Sequence, residues 1–131
     1  MKIAFATTDG VHVDEHFGRA GKFAIYELTP EGYRNLGVRV FAEGRDTAVE
    51  GTRGQGTTHD KAVNEKVERL SDCGIIYFTS IGGPSAARMS SKGIMPVKVR
   101  EGVTIEESAQ KLMETIRTAP PPWLKKRIGM E

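Results

Sequence analysis

The sequence predicts an α/β domain built on a mixed sheet of about five strands, flanked by about three helices, in the order β-β-β-α-β-α-β-α. Three observations predict it. Apolar runs of strand length recur near residues 2–7, 22–29, 33–41, 75–78 and 94–99. The first three follow one another through short turns, whereas helix-patterned stretches separate the later ones, as in βαβ units with right-handed crossovers. The chain has 131 residues, 38% of them hydrophobic, which suits one core rather than two. The domain is expected over 1–119, with a Pro-rich, basic tail over 120–131.

Taken in order, the first strand covers residues 2–7 and stops at the turn signal Asp9-Gly10. The second, near 22–29, is joined to the third by Pro30-Glu31-Gly32, where Pro30 presets its own φ and Gly32 accepts a positive one. Leu36, Val38 and Val40 then alternate with period two. Residues 43–58 lose all apolar periodicity and mix Gly with charge, which predicts a long loop. Thr57 or Thr58 caps a helix running to about Leu70, with Ala62, Val63, Val67 and Leu70 on one face. Ile75-Ile76-Tyr77-Phe78 is apolar without alternation, as for a central strand covered on both sides. Gly82-Gly83-Pro84 marks a tight strand-to-helix turn with free N–H groups that favour an anion. That helix stops at Lys92-Gly93, and Pro96 assigns the next strand to an edge. Thr104 and Glu107 form a capping box for a last helix carrying Ile105, Ala109, Leu112, Met113 and Ile116 on one face. Trp123-Leu124 supplies an apolar anchor before the basic residues.

Composition narrows the function. A net charge of +2 without a long basic run argues against nucleic acid as the default partner. No apolar stretch nears the roughly 20 residues that span a bilayer. The N-terminus enters a strand at once without a signal-peptide pattern. The single cysteine, Cys73, forms no intrachain disulfide and fits a reducing compartment. The expectation is a soluble cytoplasmic protein.

The chemistry concentrates in Val13-Asp14-Glu15-His16-Phe17-Gly18-Arg19, a histidine beside two carboxylates in a loop between two strands. His12-Val13-Asp14-Glu15-His16 matches the H-x-x-E-H zinc pattern, but that chemistry needs a helix, and Asp9-Gly10, Val11, Val13 and Gly18 leave no room for one. No Walker A motif is present, and Gly82-Gly83 is the one foothold for a nucleotide. His16 reads either as a ligand or proton shuttle, or as a ring that pins the loop. Asp14 fits both readings, as ring orienter or as turn former. Cys73 is a buried small residue or a soft thiolate ligand. His59 reads as exposed and incidental, and Met89 as core. One His and one Cys without C-x-x-C make no closed four-cysteine iron–sulfur site, but a preassembled cluster needs fewer protein ligands.

Ile3-Ala4-Phe5-Ala6, the Asp14-to-Gly18 element, Asp72-Cys73-Gly74-Ile75-Ile76-Tyr77 and Ile81-Gly82-Gly83-Pro84-Ser85-Ala86-Ala87-Arg88 together resemble the dinitrogenase iron–molybdenum cofactor biosynthesis family. The tail Pro120-Pro121-Pro122-Trp123-Leu124-Lys125-Lys126 is similar to that of its NifX branch. The resemblance implies a ribonuclease-H-like fold without nuclease chemistry. It also implies a non-enzymatic carrier of an iron–sulfur precursor of the iron–molybdenum cofactor, or of the cofactor itself. His16 is the implied iron ligand, with Cys73 as a second candidate metal ligand. On this reading Asp14 orients the His16 ring within the element that includes Phe17 and Gly18. Arg19, Arg88 and the Gly82-Gly83 backbone offset the cluster's negative charge. The expected partners are cluster donor and acceptor proteins of nitrogenase cofactor assembly, met by a monomer or weak homodimer. The Gly/Arg-rich stretch around 43–58 departs from the family's shorter acidic linker. Two rival classes remain: an adaptor acting through the Pro-rich tail and Trp123, and a metal-dependent phosphodiesterase using Asp9, Asp14 and Glu15.

Overall fold

A computed structural model of the chain describes residues 1–41 and 65–127. The 43–58 loop, the Thr57/Thr58 cap, His59 and the first residues of the expected second-half helix lie outside the described residues.

The elements are β1 (Lys2–Ala6), β2 (His12–Val13), a 3-10 turn (Phe17–Arg19), β3 (Lys22–Thr29) and β4 (Gly32–Val40). There follow α1 (helical over 65–69), β5 (Cys73–Phe78), α2 (Gly83–Ser91), β6 (Met95–Lys98), β7 (Val103–Thr104), α3 (Ile105–Thr118) and α4 (Pro122–Arg127). Five strands form one sheet in the order β4-β3-β1-β5-β6. β1 is antiparallel to β3 and parallel to β5, and β5 is parallel to β6. The expected mixed five-stranded sheet is therefore present, with β6 and its Pro96 at an edge. The two-residue strands β2 and β7 add a small antiparallel pair that carries too few residues for any periodicity to show.

Alternation along β1 and β5 decides the layers. Ala4, Ala6, Ile76 and Phe78 face one side, with Val67 and Leu70 from the α1 segment and Met89 from α2. Ile3, Phe5, Ile75 and Tyr77 face the other, with Ile105, Met113 and Ile116 of α3 and Leu124 of α4. β5 is buried along its whole length because both faces are covered. The apolar anchor foreseen in the tail is Leu124, only 1% exposed, which ties α4 to the second layer.

Local signals account for several element ends. Thr104 Oγ1 accepts from Glu107 N at 3.0 Å while Glu107 Oε1 accepts from Thr104 N at 3.0 Å, the reciprocal capping box of α3. Gly93 sits at φ +80, donating to Ser90 O, and Ile94 N reaches back to Met89 O, which closes α2 as a Schellman motif. One turn differs from expectation. Thr29 pairs with Gly32, so Pro30-Glu31 is a two-residue loop and Gly32 opens β4 without a positive φ. The positive φ falls instead on Gly37, at +115, beside the point where the β3–β4 register shifts.

At the end of the sheet where β5 begins, Arg39 grips Asp72 through two parallel bonds of 2.8 and 2.7 Å, and Lys2 lies 3.6 Å from the same carboxylate. The Arg39 hydrogen bond, aided by the charges of Arg39 and Lys2, brings the Asp72 pKa down from 3.8 to about 2. Folding therefore favours the ionised form. The resulting stabilisation is fully present above about pH 4 and is lost as pH falls through about 2. Urea denaturation across that acid range should show the stability gap between wild type and Asp72→Asn closing as pH drops; a gap constant with pH would remove Asp72 as its source. In the core, Ile76→Ala should cost about 3 kcal/mol by the same measurement, while Val40→Ala, at a site 59% exposed, should stay within about 0.5 kcal/mol.

Candidate functional site

The 7–20 loop leaves the C-terminal end of β1 and is laced to the loop that leaves the adjacent, parallel β5. Thr79 N donates to Glu15 O at 3.0 Å and Phe17 N to Ser80 O at 2.9 Å, which sets His16 and Ser80 side by side as an isolated parallel bridge. The turn is anchored by Phe17, fully buried between Phe23 and Phe78 at ring distances of 5.7 and 6.3 Å. Burial of Phe17 turns its neighbour His16 outward, and His16 is exposed at the N-cap of the 3-10 turn.

A second anchor comes from α1. Lys66 is only 3% exposed, and its Nζ donates to three carbonyls of the turn: Phe17 O at 3.1 Å, Gly18 O at 3.2 Å and Ala20 O at 2.9 Å. It also lies 5.5 Å from the centre of the Phe17 ring. A buried ammonium needs such compensation, and here one side chain satisfies three main-chain acceptors at once. Sequence reasoning missed Lys66. Its signal was legible, because Lys66 falls on the apolar stripe of its helix, between Val63 and Val67.

The carboxylates hold the loop. Asp14 accepts from Thr8 N at 2.9 Å and from Thr8 Oγ1 at 2.6 Å, tying the exit of β1 to the approach to His16. The expected Asp14–His16 pairing is therefore corrected. His16 Nδ1 accepts instead from the Gly18 amide at 3.1 Å, because the 3-10 turn points that N–H back at its own N-cap. The carboxylate–imidazole pair of this loop is Asp9–His12, with Asp9 Oδ2 and His12 Nδ1 at 2.7 Å. Asp9 Oδ1 also accepts from Val11 N and His12 N, both at 2.8 Å. Those bonds hold the Asp9 carboxyl far below the usual carboxylate range. The signal for this pair was the Asp9-Gly10 turn, since an aspartate there bonds the backbone just after it and meets a side chain three residues on.

The other expected residues divide between the two ends of β5. Gly82 and Gly83 open α2 next to the His16–Ser80 bridge, both exposed, with no atom within 4 Å of where a Gly83 Cβ would stand. Arg19 closes the 3-10 turn and is exposed. Arg88 lies in the last turn of α2, about 9 Å along the helix from Gly82. Cys73 opens β5, so about 16 Å of strand runs from it to Phe78 before the chain reaches Ser80. It is fully buried, and burial with the adjacent Asp72 charge pushes its thiol up to about 12. This weighs against Cys73 as the second candidate metal ligand: it lies at the opposite end of the strand from the His16 loop, and a thiol held protonated is a poor ligand. Among the described residues no three His, Cys, Asp or Glu side chains are grouped to hold a metal ion. No helix among them is long and apolar enough to cross a membrane.

Lys66→Met keeps the bulk of the side chain but leaves the carbonyls of Phe17, Gly18 and Ala20 without their donor. It should destabilise the chain by about 3 kcal/mol in urea denaturation. An unmoved midpoint would mean that water replaces the ammonium.

Comparison with known proteins follows this geometry. Residues 1–115 match the family described as dinitrogenase iron-molybdenum cofactor. The protein NifX of Herbaspirillum seropedicae is 36% identical over 128 residues, covering 98% of this chain and 82% of its own. The protein NifX of Rhodobacter capsulatus is 32% identical over 129 residues, covering 98% and 78%. Among solved structures, the crystal structure of PH0822 superposes with a TM-score of 0.62 at 19% identity, covering 87% of this chain and 90% of that one, a likeness of fold. With a family match across most of its length and relatives of this identity, the chain belongs to the dinitrogenase iron–molybdenum cofactor family.

Proposed function

We propose that the chain acts in nitrogenase cofactor biosynthesis as a carrier. It binds an iron–sulfur precursor of the iron–molybdenum cofactor, or the cofactor itself, transiently and hands it between assembly proteins without catalysing a reaction. The family match supports the general role. The observation that carries the specific one is the exposure of His16 on an anchored turn, bridged to Ser80 beside the open backbone of Gly82-Gly83. The sheet order supports a ribonuclease-H-like relation: counted over its five main strands in chain order, it reads 3-2-1-4-5.

The chemistry follows from position. Ligands of open α/β sheets sit beyond the carboxyl ends of parallel strands, which is where β1 and β5 deliver the two loops. An iron–sulfur cluster is anionic. The first N–H groups of α2 and the charge of Arg19 favour an anion there, and the glycines let it approach the backbone closely. His16 supplies the iron ligand. On its neutral ring the Gly18 bond places the proton on Nε2. Ligation through Nε2 therefore requires the proton to shift and the Gly18 amide to let go of Nδ1. The Gly18 hydrogen bond, in an exposed turn, is worth about 1 kcal/mol, so its release is inexpensive and reversible. A carrier that must release its cargo is served by one weak-field position rather than a closed ligand set.

The test is anaerobic titration of the apo-protein with isolated nitrogenase cofactor precursor, read by visible absorption and by co-elution of iron on a sizing column. Stoichiometric uptake that falls at least about tenfold in affinity in His16→Ala is expected. A folded protein that takes up no cluster would overturn the carrier reading and favour an adaptor acting through protein contact alone.

A further inference from the structure

The two histidines of the 7–20 loop are set in opposite ways, and the difference points to a ligand atom that the carrier reading does not use. His16 accepts at Nδ1 from an amide. His12 faces a carboxylate at the same ring position, 2.7 Å away. That carboxylate is fixed from several directions, by Val11 N and His12 N at 2.8 Å and by the Thr7 hydroxyl at 3.2 Å. Thr7 is itself held, since its Oγ1 accepts from Gly10 N at 2.9 Å. Asp9 thus serves as the acceptor for each of these neighbouring donors. A carboxylate only accepts, so His12 Nδ1 is the protonated nitrogen. On the neutral ring the lone pair is then on Nε2.

A histidine whose Nδ1–H is bound to a carboxylate is the arrangement by which proteins orient imidazole for a metal, and the carboxylate makes Nε2 more basic. The backbone holds the ring as firmly as the side-chain bond does. His12 pairs with Thr104 across β2 and β7, Ile105 N donates to Val11 O at 2.7 Å, and the neighbouring Val13 is fully buried. The side chain nevertheless stays accessible, 42% exposed. A ring that merely pinned the turn would be redundant, since Asp9 already takes the amides of Val11 and His12 and Thr7 takes that of Gly10.

We propose that His12 Nε2, preset by Asp9, is a ligand atom for a borderline, imidazole-seeking divalent metal. The class includes ferrous iron, whether a free ion or an exposed iron of a bound cluster. The ligand atom is argued from geometry alone; its use toward a cluster rests on the carrier reading. Binding forms one Nε2–metal bond, displaces a metal-bound water and leaves the Nδ1 proton on its bond to Asp9. His16 needs a proton shift before it offers the same atom, so His12 is the first of the two to engage a metal.

The probe is Co2+ alone, a borderline ion with imidazole preference, added anaerobically to the full-length, 15N-labelled apo-protein. Long-range 1H–15N spectra should show His12 with its proton on Nδ1. Co2+ should then broaden the His12 ring signals before those of His16. His12→Gln removes the imidazole lone pair and keeps an N–H donor for Asp9; it should abolish that first binding event. Asp9→Asn should weaken it by about 10-fold or more, and His16→Ala should leave it unchanged. An Nε2–H tautomer at His12, or first-event Co2+ affinity unaltered in His12→Gln, overturns the proposal. Cluster uptake that depends on His16 while Co2+ ignores His12 overturns this inference and leaves the carrier reading intact. Co2+ held by His12 with no cluster taken up does the reverse.

Discussion

The ammonium of Lys66 is the interaction on which the turn presenting His16 depends. A lysine is rarely buried to 3% exposure, because removing the charge from water is expensive. Here the expense is offset by three carbonyl oxygens of the 3-10 turn and its exit, of which Phe17 O also accepts from Ala20 N. The benefit is mutual. The turn gains a donor set that no helix neighbour supplies, and the ammonium gains three acceptors and the face of Phe17. Phe17 fills the core, Lys66 seals the carbonyls, and His16 is what remains outside. The exposed imidazole therefore stands on a rigid base although it belongs to a loop.

The two ends of the parallel pair β1 and β5 have opposite characters, and charge placement explains the division. At the start of β5, Arg39, Lys2 and Asp72 form a closed ionic set beside a buried Cys73 whose thiol stays protonated. That end is a lock. At the far end two carboxylates serve the loop itself: Asp14 binds Thr8, and Asp9 binds its own turn and His12. They organise the approach to His16. The phosphodiesterase alternative needs the reverse, carboxylates turned together toward a metal.

Two imidazoles four residues apart meet opposite partners at Nδ1, a backbone donor at His16 and a side-chain carboxylate at His12, which favour opposite tautomers of the neutral rings. Tautomer choice is thus a property of the local backbone. The 3-10 turn aims an amide at His16, while the Asp9-Gly10 turn, with Gly10 at φ +78, aims a carboxylate at His12.

Residue pattern by itself determined the mixed five-stranded α/β architecture and singled out the loop proposed as the site. Alternation in β4, the continuous apolar run of β5, the Thr104–Glu107 box and Gly93 each announced an element or its end, because those signals are local and need only the nearest few residues. The loop carrying His16 and the Gly82-Gly83 turn were each legible for the same reason, while their adjacency came from the bridge between His16 and Ser80. Tertiary structure decided what depends on distance across the fold. Only the sheet shows that β5 carries Cys73 to the end away from His16, and only packing shows that a lysine one helix away is the donor for the Phe17 turn. Which carboxylate meets which histidine also lay beyond the sequence. Asp14 is nearer His16 in the chain than Asp9 is to His12, but hydrogen bonds follow the direction in which the backbone turns each side chain, and here the turns sent Asp14 to Thr8 and Asp9 to His12.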